Sequence, residues 1–582
     1  MSVNFSQSDI SVLKQPHNRW VSLIIGLPLL VWLASLLTFS VNIPWFDDLD
    51  PFSDFIRQWT ANPDFSDRLA LLFRPNNEHR MIFGKLSALF YFLITGELNF
   101  TFLHIAGALF YIGAFAICFQ IFRLLQLPLL YFAPVSFLFF HLKTHLVFLW
   151  AVCSLQHQPV VFFVCLTVWL LAKRKFLGAL IAGICTTFAM SNGMLVWAAG
   201  GVVLLYRSNW KQLALWSLVG LAAIMTYFSG MTTQNNESSF TFLMQHPHLP
   251  PLGFLTFLGG LLDIFPINQP IVIRSTLPVL GGGLLTGWAL WYVFKRLRIV
   301  EVILLRKKSY QSGDVREDKE HTVRDFVLGL LVFSLVNGLI IGVLRPRFGF
   351  FVFLLSNYKL YTFLFAITAY LGILSTLKTE NRRRIVGMIF GGAAIMIWVF
   401  SLITEISVIN ERRKFLLLSA YNQEHNGFGL GFAPDTPAAA FLDTLMQDLT
   451  TAGIYTYPSV YEPYYKAIKT LKEEAELPPT LRYERQSENV LIAQENTQLG
   501  LMNRKELAIA YALKGGKLYV FPMSQANYQG KNPFRQYERT KYASIPYAYL
   551  EPGEYDLGVL EVSKQSMKNY KIDKLFIERL AE

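Results

Sequence analysis

Charge is scarce in this sequence: Asp, Glu, Lys and Arg make up only 16% of its 582 residues, where soluble domains carry about 25%. The deficit is concentrated in long apolar stretches such as Trp20–Ser40 and Ile385–Val408. A compact soluble fold has no use for so much apolar surface, and roughly 20 apolar residues suffice to cross a bilayer. Cysteine is also rare. The four present, Cys118, Cys153, Cys165 and Cys185, all lie in apolar stretches, and no CxxC or His/Cys spacing accompanies them. That excludes a disulfide framework and gives no zinc motif. No small-residue cleavage site follows the first apolar run, so an uncleaved first helix is expected rather than a signal peptide. No internal repeat stands out, and no basic-aromatic recognition stretch is present. The formal net charge of +12 therefore does not imply a nucleic-acid partner.

The basic residues instead cluster beside apolar segments: Lys173-Arg174-Lys175, Lys295-Arg296 with Arg298, Arg306-Lys307-Lys308 and Arg382-Arg383-Arg384. Short basic loops of this kind stay cytoplasmic. With a cytoplasmic leader at 1–19, spans are expected near 20–40, 100–124, 129–155, 158–172, 177–191, 194–206, 212–229, 272–294, 326–344, 350–376 and 386–408. Segments 81–96 and 250–266 are read as interfacial or re-entrant. Eleven spans result, or thirteen if both cross, and either odd number puts the C-terminal portion outside. The expected fold is mainly α: a polytopic transmembrane helical bundle over 20–409, with an external loop at 41–80 and a cytoplasmic loop at 295–325. Residues 410–582 turn polar and form an extracytoplasmic α+β domain. A helix is expected over Ser459–Leu477 and strands over Asn489–Gln494, Glu506–Ala512, Lys517–Phe521 and Asp556–Val562. Turn signals at Gly515-Gly516 and Pro552-Gly553 suggest a small β-sandwich.

The first external loop carries the richest chemistry. Asp47, Asp48 and Asp50 fall within four residues just after the first span. Pro51–Thr60 then places Phe52, Phe55, Ile56 and Trp59 on one helical face, with Asp50 as expected N-cap and Pro51 at N1. Such a helix would lie in the membrane interface. A cap accounts for Asp50 and leaves Asp47 and Asp48 without a structural duty. A carboxylate can take the proton of an attacking hydroxyl, and a pair can hold a divalent cation such as Mg or Mn beside a phosphate. The bland alternative is that these acids solvate the loop. Farther on, Glu78, His79 and Arg80 combine an acid, an imidazole and a guanidinium, against the alternative of an interfacial anchor. Asn192, in Ser191-Asn192-Gly193, interrupts an apolar run, either as broken backbone lining a cavity or as a tight turn. Arg345 and Arg347 emerge between two late spans, where guanidinium forks suit phosphate oxygens; ordinary lipid head groups are the competing ligand. Tyr358 and Lys359 follow about three turns later. His157 marks the outer end of another span, while His141 and His145, lacking a nearby carboxylate, read as packing or polar contacts.

This order of motifs resembles the GT-C superfamily of membrane glycosyltransferases, to which aminoarabinose transferases and protein O-mannosyltransferases belong. Their hallmark is an acidic pair in the first external loop, where Asp47-Asp48 stands. The chain is more similar still to bacterial GT-C-like proteins that carry an acidic pair, an Asn-Glu-His-Arg motif, a small-Asn-Gly turn and a late Gly-Arg…Ser-Arg-Tyr stretch. Here those are Asp47-Asp48, Asn77–Arg80, Ser191–Gly193, and Arg345 with Ser356-Asn357-Tyr358. Leu344 stands where the motif has Gly, and Asn357 where it has Arg. Over roughly residues 20–408 the resemblance implies sugar transfer from a polyprenyl-phosphate-linked donor to a glycan, lipid or protein acceptor at a bacterial inner membrane, with a periplasmic C-terminal domain. The acidic pair would act as base or metal holder. The competing classes are a lipid-glycan flippase or transporter, a polysaccharide ligase or polymerase, and a non-enzymatic assembly protein.

Overall fold

The computed structural model describes residues 16–76, 79–231, 239–297, 315–470, 475–497, 506–530, 532, 534–563 and 566–578. Asn77 and Glu78, Arg298 and the Arg306-Lys307-Lys308 cluster lie outside the described residues. Among those described, nine segments are long and apolar enough to cross a membrane: Arg19–Phe39, Phe100–Leu124, Leu129–Leu149, Ala151–Ala172, Trp210–Phe228, Ile271–Leu297, Asp318–Leu344, Ser356–Thr376 and Glu380–Asn426. Large apolar side chains such as Leu30, Leu218, Leu284 and Ile389 stay exposed on them, as lipid contact allows. This arrangement is consistent with a multi-pass membrane protein.

Two expected spans fall short. Phe176–Ala189 and Val196–Tyr206 reach only about 21 and 17 Å at 1.5 Å per residue. The 3-10 turn Ser191–Leu195 joins them. Gly193 is required there, because a Cβ would sit 1.9 Å from the Thr186 carbonyl oxygen. Ile82–Thr95 and Leu249–Leu258 are also short. The expected break at Gln156–Gln158 is absent: these residues lie inside Ala151–Ala172, which accommodates Pro159. The interruption comes earlier. Leu129–Leu149 is a chain of short helices and 3-10 turns, tolerable at membrane depth because nearly every residue from Phe132 to Leu149 is buried by protein.

The helix Glu380–Asn426 runs for 47 residues, about 70 Å, so no break marks the expected boundary near residue 410. Its far end supports two four-stranded antiparallel sheets built from β1 (Leu481–Arg485), β2 (Asn489–Gln494), β3 (Leu507–Lys514), β4 (Lys517–Pro522), β5 (Ser524–Asn527), β6 (Tyr537–Pro546), β7 (Gly553–Val562) and β8 (Met567–Ile577). The orders are β1-β2-β6-β5 and β4-β3-β7-β8. Val490 and Ile492 from one sheet share a core with Ala510, Tyr555 and Val559 from the other. The opposite face of the second sheet, through Ile509, Val520 and Leu560, packs on Leu416–Leu418 of the long helix. Asn422 then replaces a missing strand neighbour at β4: its amide donates to the Val520 carbonyl (2.8 Å) and accepts from the Val520 N–H (3.1 Å). The expected helix over Ser459–Leu477 is shorter, Glu462–Thr470, and a further helix, Pro437–Thr451, precedes it.

Direction along the helices places the basic clusters. Lys173–Lys175 and Lys295-Arg296 end helices whose other ends approach the C-terminal domain, and Arg382–Arg384 begin the long helix at its opposite end. All three therefore lie at the end of the bundle away from that domain.

Candidate functional site

At the other end, between bundle and C-terminal domain, lies a cavity of about 640 Å³. The first loop supplies Phe46, Asp47 and Asp50, and the segment before Ile82 supplies Asn76, His79 and Met81. Trp150, Gln156 and His157 enter from the N-terminal half of Ala151–Ala172, and Arg345, Phe348, Asn357 and Tyr358 from the late spans. Phe432, Ala438, Phe441 and Leu442 of the C-terminal domain complete the wall. Asp47, His79, His157, Arg345 and Tyr358, scattered over some 300 positions of sequence, thus share one space.

The acidic pair is divided. Asp48 is 1% exposed and takes no part in the lining. Its carboxylate accepts from the Trp45 N–H (2.9 Å) and the Val152 N–H (2.7 Å), pinning the loop to the start of Ala151–Ala172. Trp150 reinforces the joint by donating Nε1–H to the Trp45 carbonyl (3.1 Å). Arg412 of the long helix lies over both indole rings, 6.0 Å from Trp45 and 5.7 Å from Trp150. Burial pushes the Asp48 carboxyl up to about 8 against the pull of the two N–H groups and Arg412. Asp47, by contrast, faces the cavity, and no cation pairs with it among the described residues. Burial first, and the Asp50 charge second, raise its pKa above the ordinary carboxylate value.

Asp50 is the second acid of the cavity, not a helix cap. The chain enters a π-helical turn over Leu49–Asp54 before the helix Phe55–Ala61, which makes a cap at Asp50 unnecessary. Its carboxylate accepts from Asn76 Nδ2 (2.6 Å) and Arg74 Nη2 (3.3 Å). The apolar face of this segment is also not free for lipid: Phe52, Phe55 and Ile56 are buried in protein.

Other expected site residues are used elsewhere. Arg80 donates Nε–H to the Tyr227 carbonyl (2.7 Å), and its other nitrogens bond the carbonyls of Phe73 and Ser229. Lys359 is buried and ion-paired to Asp263 (2.7 Å), which also binds Arg274 (2.6 Å). Asn192 contacts Asn337 (3.5 Å) and does not line the cavity. Arg347 lies over Phe348 at 4.7 Å, also outside the lining, whereas Arg345 reaches the cavity beside the same ring (5.6 Å). Arg345 has no carboxylate partner among the described residues. Glu78 lies outside the described residues. His157 Nδ1 is held 2.9 Å from the Tyr361 hydroxyl, which fixes its ring at the cavity wall.

Several contributors escaped sequence reasoning. Asn357, a departure from the motif, lines the cavity with a buried Oδ1 that has no hydrogen-bond partner among the described residues. Glu405 pairs with Lys143 (2.8 Å) and His145 (3.1 Å), supplying the carboxylate that His145 lacked locally. Charges inside apolar helices were the available signal for Glu405, Lys143 and Arg274. Nothing in the sequence marked Phe432 or Phe441.

Asp47 and Asp48 do not fit a shared cation, because both Asp48 oxygens already face backbone N–H donors. Among the described residues no group of three His, Cys, Asp or Glu side chains converges as a metal site. No family model, curated protein or solved structure matches the chain.

Proposed function

We propose that this protein is a membrane glycosyltransferase that moves a sugar from a polyprenyl-phosphate-linked donor to a glycan, lipid or protein acceptor at the outer face of a bacterial inner membrane. One observation carries the reading: Asp47, a carboxylate with no cation partner among the described residues, and Arg345, a guanidinium with no carboxylate partner among them, line the same cavity. The cavity lies at the end of the bundle away from the basic clusters, the end the positive-inside pattern assigns to the exterior.

In the proposed reaction an acceptor hydroxyl attacks the anomeric carbon of the donor. The new glycosidic bond forms as the bond from that carbon to the phosphate oxygen breaks. Asp47 takes the hydroxyl proton, aided by a raised pKa that makes it a stronger base than an exposed carboxylate. Arg345 balances the charge on the departing polyprenyl phosphate. His79, His157 and Tyr358 offer hydrogen bonds along the same wall. Asp48 holds Asp47 in place and touches no substrate. No step is routed through a metal ion.

The test reconstitutes the full chain in sealed vesicles with radiolabelled polyprenyl-phosphate sugars. Wild-type transfer abolished by Asp47→Asn, with folding intact, supports the reading. Label crossing the vesicle wall without a new glycosidic bond would replace it with a flippase.

A further inference from the structure

Resting on the transferase reading, we infer that Phe46, Phe432 and Phe441 form an acceptor subsite that stacks a pyranose ring, so the acceptor is a saccharide and the C-terminal domain selects it.

Phe46 and Phe441 are 44% and 52% exposed, yet both open onto a cavity that also holds carboxylates and imidazoles. Phe46 has a positive φ of 46°, a left-handed conformation that bulky residues rarely adopt. Because its side chain is not buried in the core, packing does not repay that cost. The conformation turns the ring toward the C-terminal domain, where it meets Phe432 at 5.4 Å and 30°. The Phe46 N–H donates to the Leu430 carbonyl (3.4 Å). Gly431, itself at φ +106°, makes room: a Cβ there would come within 3.0 Å of the Phe46 ring. Strain of this kind is retained where surrounding structure imposes it for a purpose.

Phe441 is braced independently. The Arg57 guanidinium lies 5.6 Å from its ring centroid and is itself tied to Asp54 (2.8 Å) and Asp448 (3.0 Å). The ring is thus supported by a fixed cation.

Aromatic faces carry negative charge density and attract the weakly positive C–H face of a pyranose. A linear polyol or extended peptide presents no such flat face. The ring hydroxyls then need partners at the edge. Asp50, from the same loop as Phe46, provides an acceptor in the cavity, and the Asn357 Oδ1, without a partner among the described residues, provides another across it toward the donor side. Phe46 precedes Asp47 in the chain, so a ring stacked on Phe46 brings its hydroxyl toward the base. Arg345 and Phe348, on the late spans, mark the donor side.

The test uses the full chain in nanodiscs of phosphatidylethanolamine and phosphatidylglycerol, which contain no sugar head group. Saturation-transfer NMR is recorded with the methyl pyranosides of glucose, galactose, mannose and N-acetylglucosamine, and with sorbitol as linear control. At least one pyranoside should receive saturation at its ring protons, and sorbitol none. Phe432→Ala and Phe441→Ala should each cut the signal at least fivefold, while Phe441→Tyr retains it. Phe441 is exposed, so its variant should fold, and thermal melting verifies this. Saturation of no pyranoside, or signals indifferent to both alanine variants, overturns the subsite. Binding is read without turnover, so the two ideas separate. Pyranoside stacking in a protein that transfers nothing would remove the transferase and leave a saccharide-binding site; transfer without stacking would remove the subsite alone.

Discussion

Two adjacent aspartates should respond to mutation in opposite ways. Replacing Asp48 with Ala leaves the N–H groups of Trp45 and Val152 without acceptors in a buried site, at about 1–3 kcal/mol each. It also removes the carboxyl group that Arg412 faces. A total loss near 4 kcal/mol is therefore expected, a large fraction of a stability of about 5–15 kcal/mol. Asp48→Asn keeps one acceptor and should cost about 1–2 kcal/mol. Asp47→Asn breaks no ion pair among the described residues and relieves repulsion with Asp50, so its effect on stability should stay within about 0.5 kcal/mol. Melting of the purified variants in one detergent should rank Asp48→Ala below Asp48→Asn, with Asp47→Asn close to wild type. Transfer should be lost in Asp47→Asn, the most stable of the three. pH gives a second reading. The folded Asp48 carboxyl holds its proton up to about 8, while an unfolded one releases it near ~3.9. Proton binding therefore favours the folded state: this contribution is fully present below the unfolded value and is lost as pH rises through the window to about 8. Asp48→Asn should flatten that decline. A melting point for Asp47→Asn below that of Asp48→Ala would refute the division of labour.

Three further outcomes follow from the same geometry. Asp50→Asn removes a negative charge beside Asp47, so the acid limb of the pH–rate profile should move to lower pH; an unmoved limb would mean that Asp47 is not the titrating base. Arg345→Ala should lower kcat/KM for a polyprenyl-phosphate donor by about 10²–10³-fold without lowering the melting point, and Lys at this position should recover only part of the activity because it lacks the planar fork. Arg80→Ala should do the reverse, costing about 2–4 kcal/mol by stranding the carbonyls of Tyr227, Phe73 and Ser229; thermal melting beside a transfer assay distinguishes the two arginines.

Legibility in the sequence followed the range of the forces involved. Apolar length located the helices expected at 20–40, 100–124, 212–229 and 272–294 to within a few residues, but fell well short of Val315–Leu344 and Glu380–Asn426, whose polar turns continue beyond the apolar stretch. Alternation and glycine signals found β2, β4 and the Gly515-Gly516 turn, whose φ values are +54° and +87°. Segments β1, β6 and β8 escaped because each exposes a polar or charged face, which weakens the apolar alternation. At residues 176–206 hydropathy predicts two spans, and the helices found there are shorter than the roughly 20 residues a straight span needs. The break at Trp150 depends on burial by surrounding helices.

At the site, sequence alone determined which chemical groups were available: acids after the first apolar run, guanidiniums after a late one, histidines between. Only the tertiary structure decided which of them face one another. Asp48 and Asp47 are neighbours in the chain, yet one is claimed by backbone donors 3 and 104 residues away and the other faces the cavity. Arg345 and Arg347 are likewise near neighbours, yet only Arg345 lines the cavity. Backbone hydrogen bonds and packing from distant segments fix where a side chain points, and no local pattern records those partners.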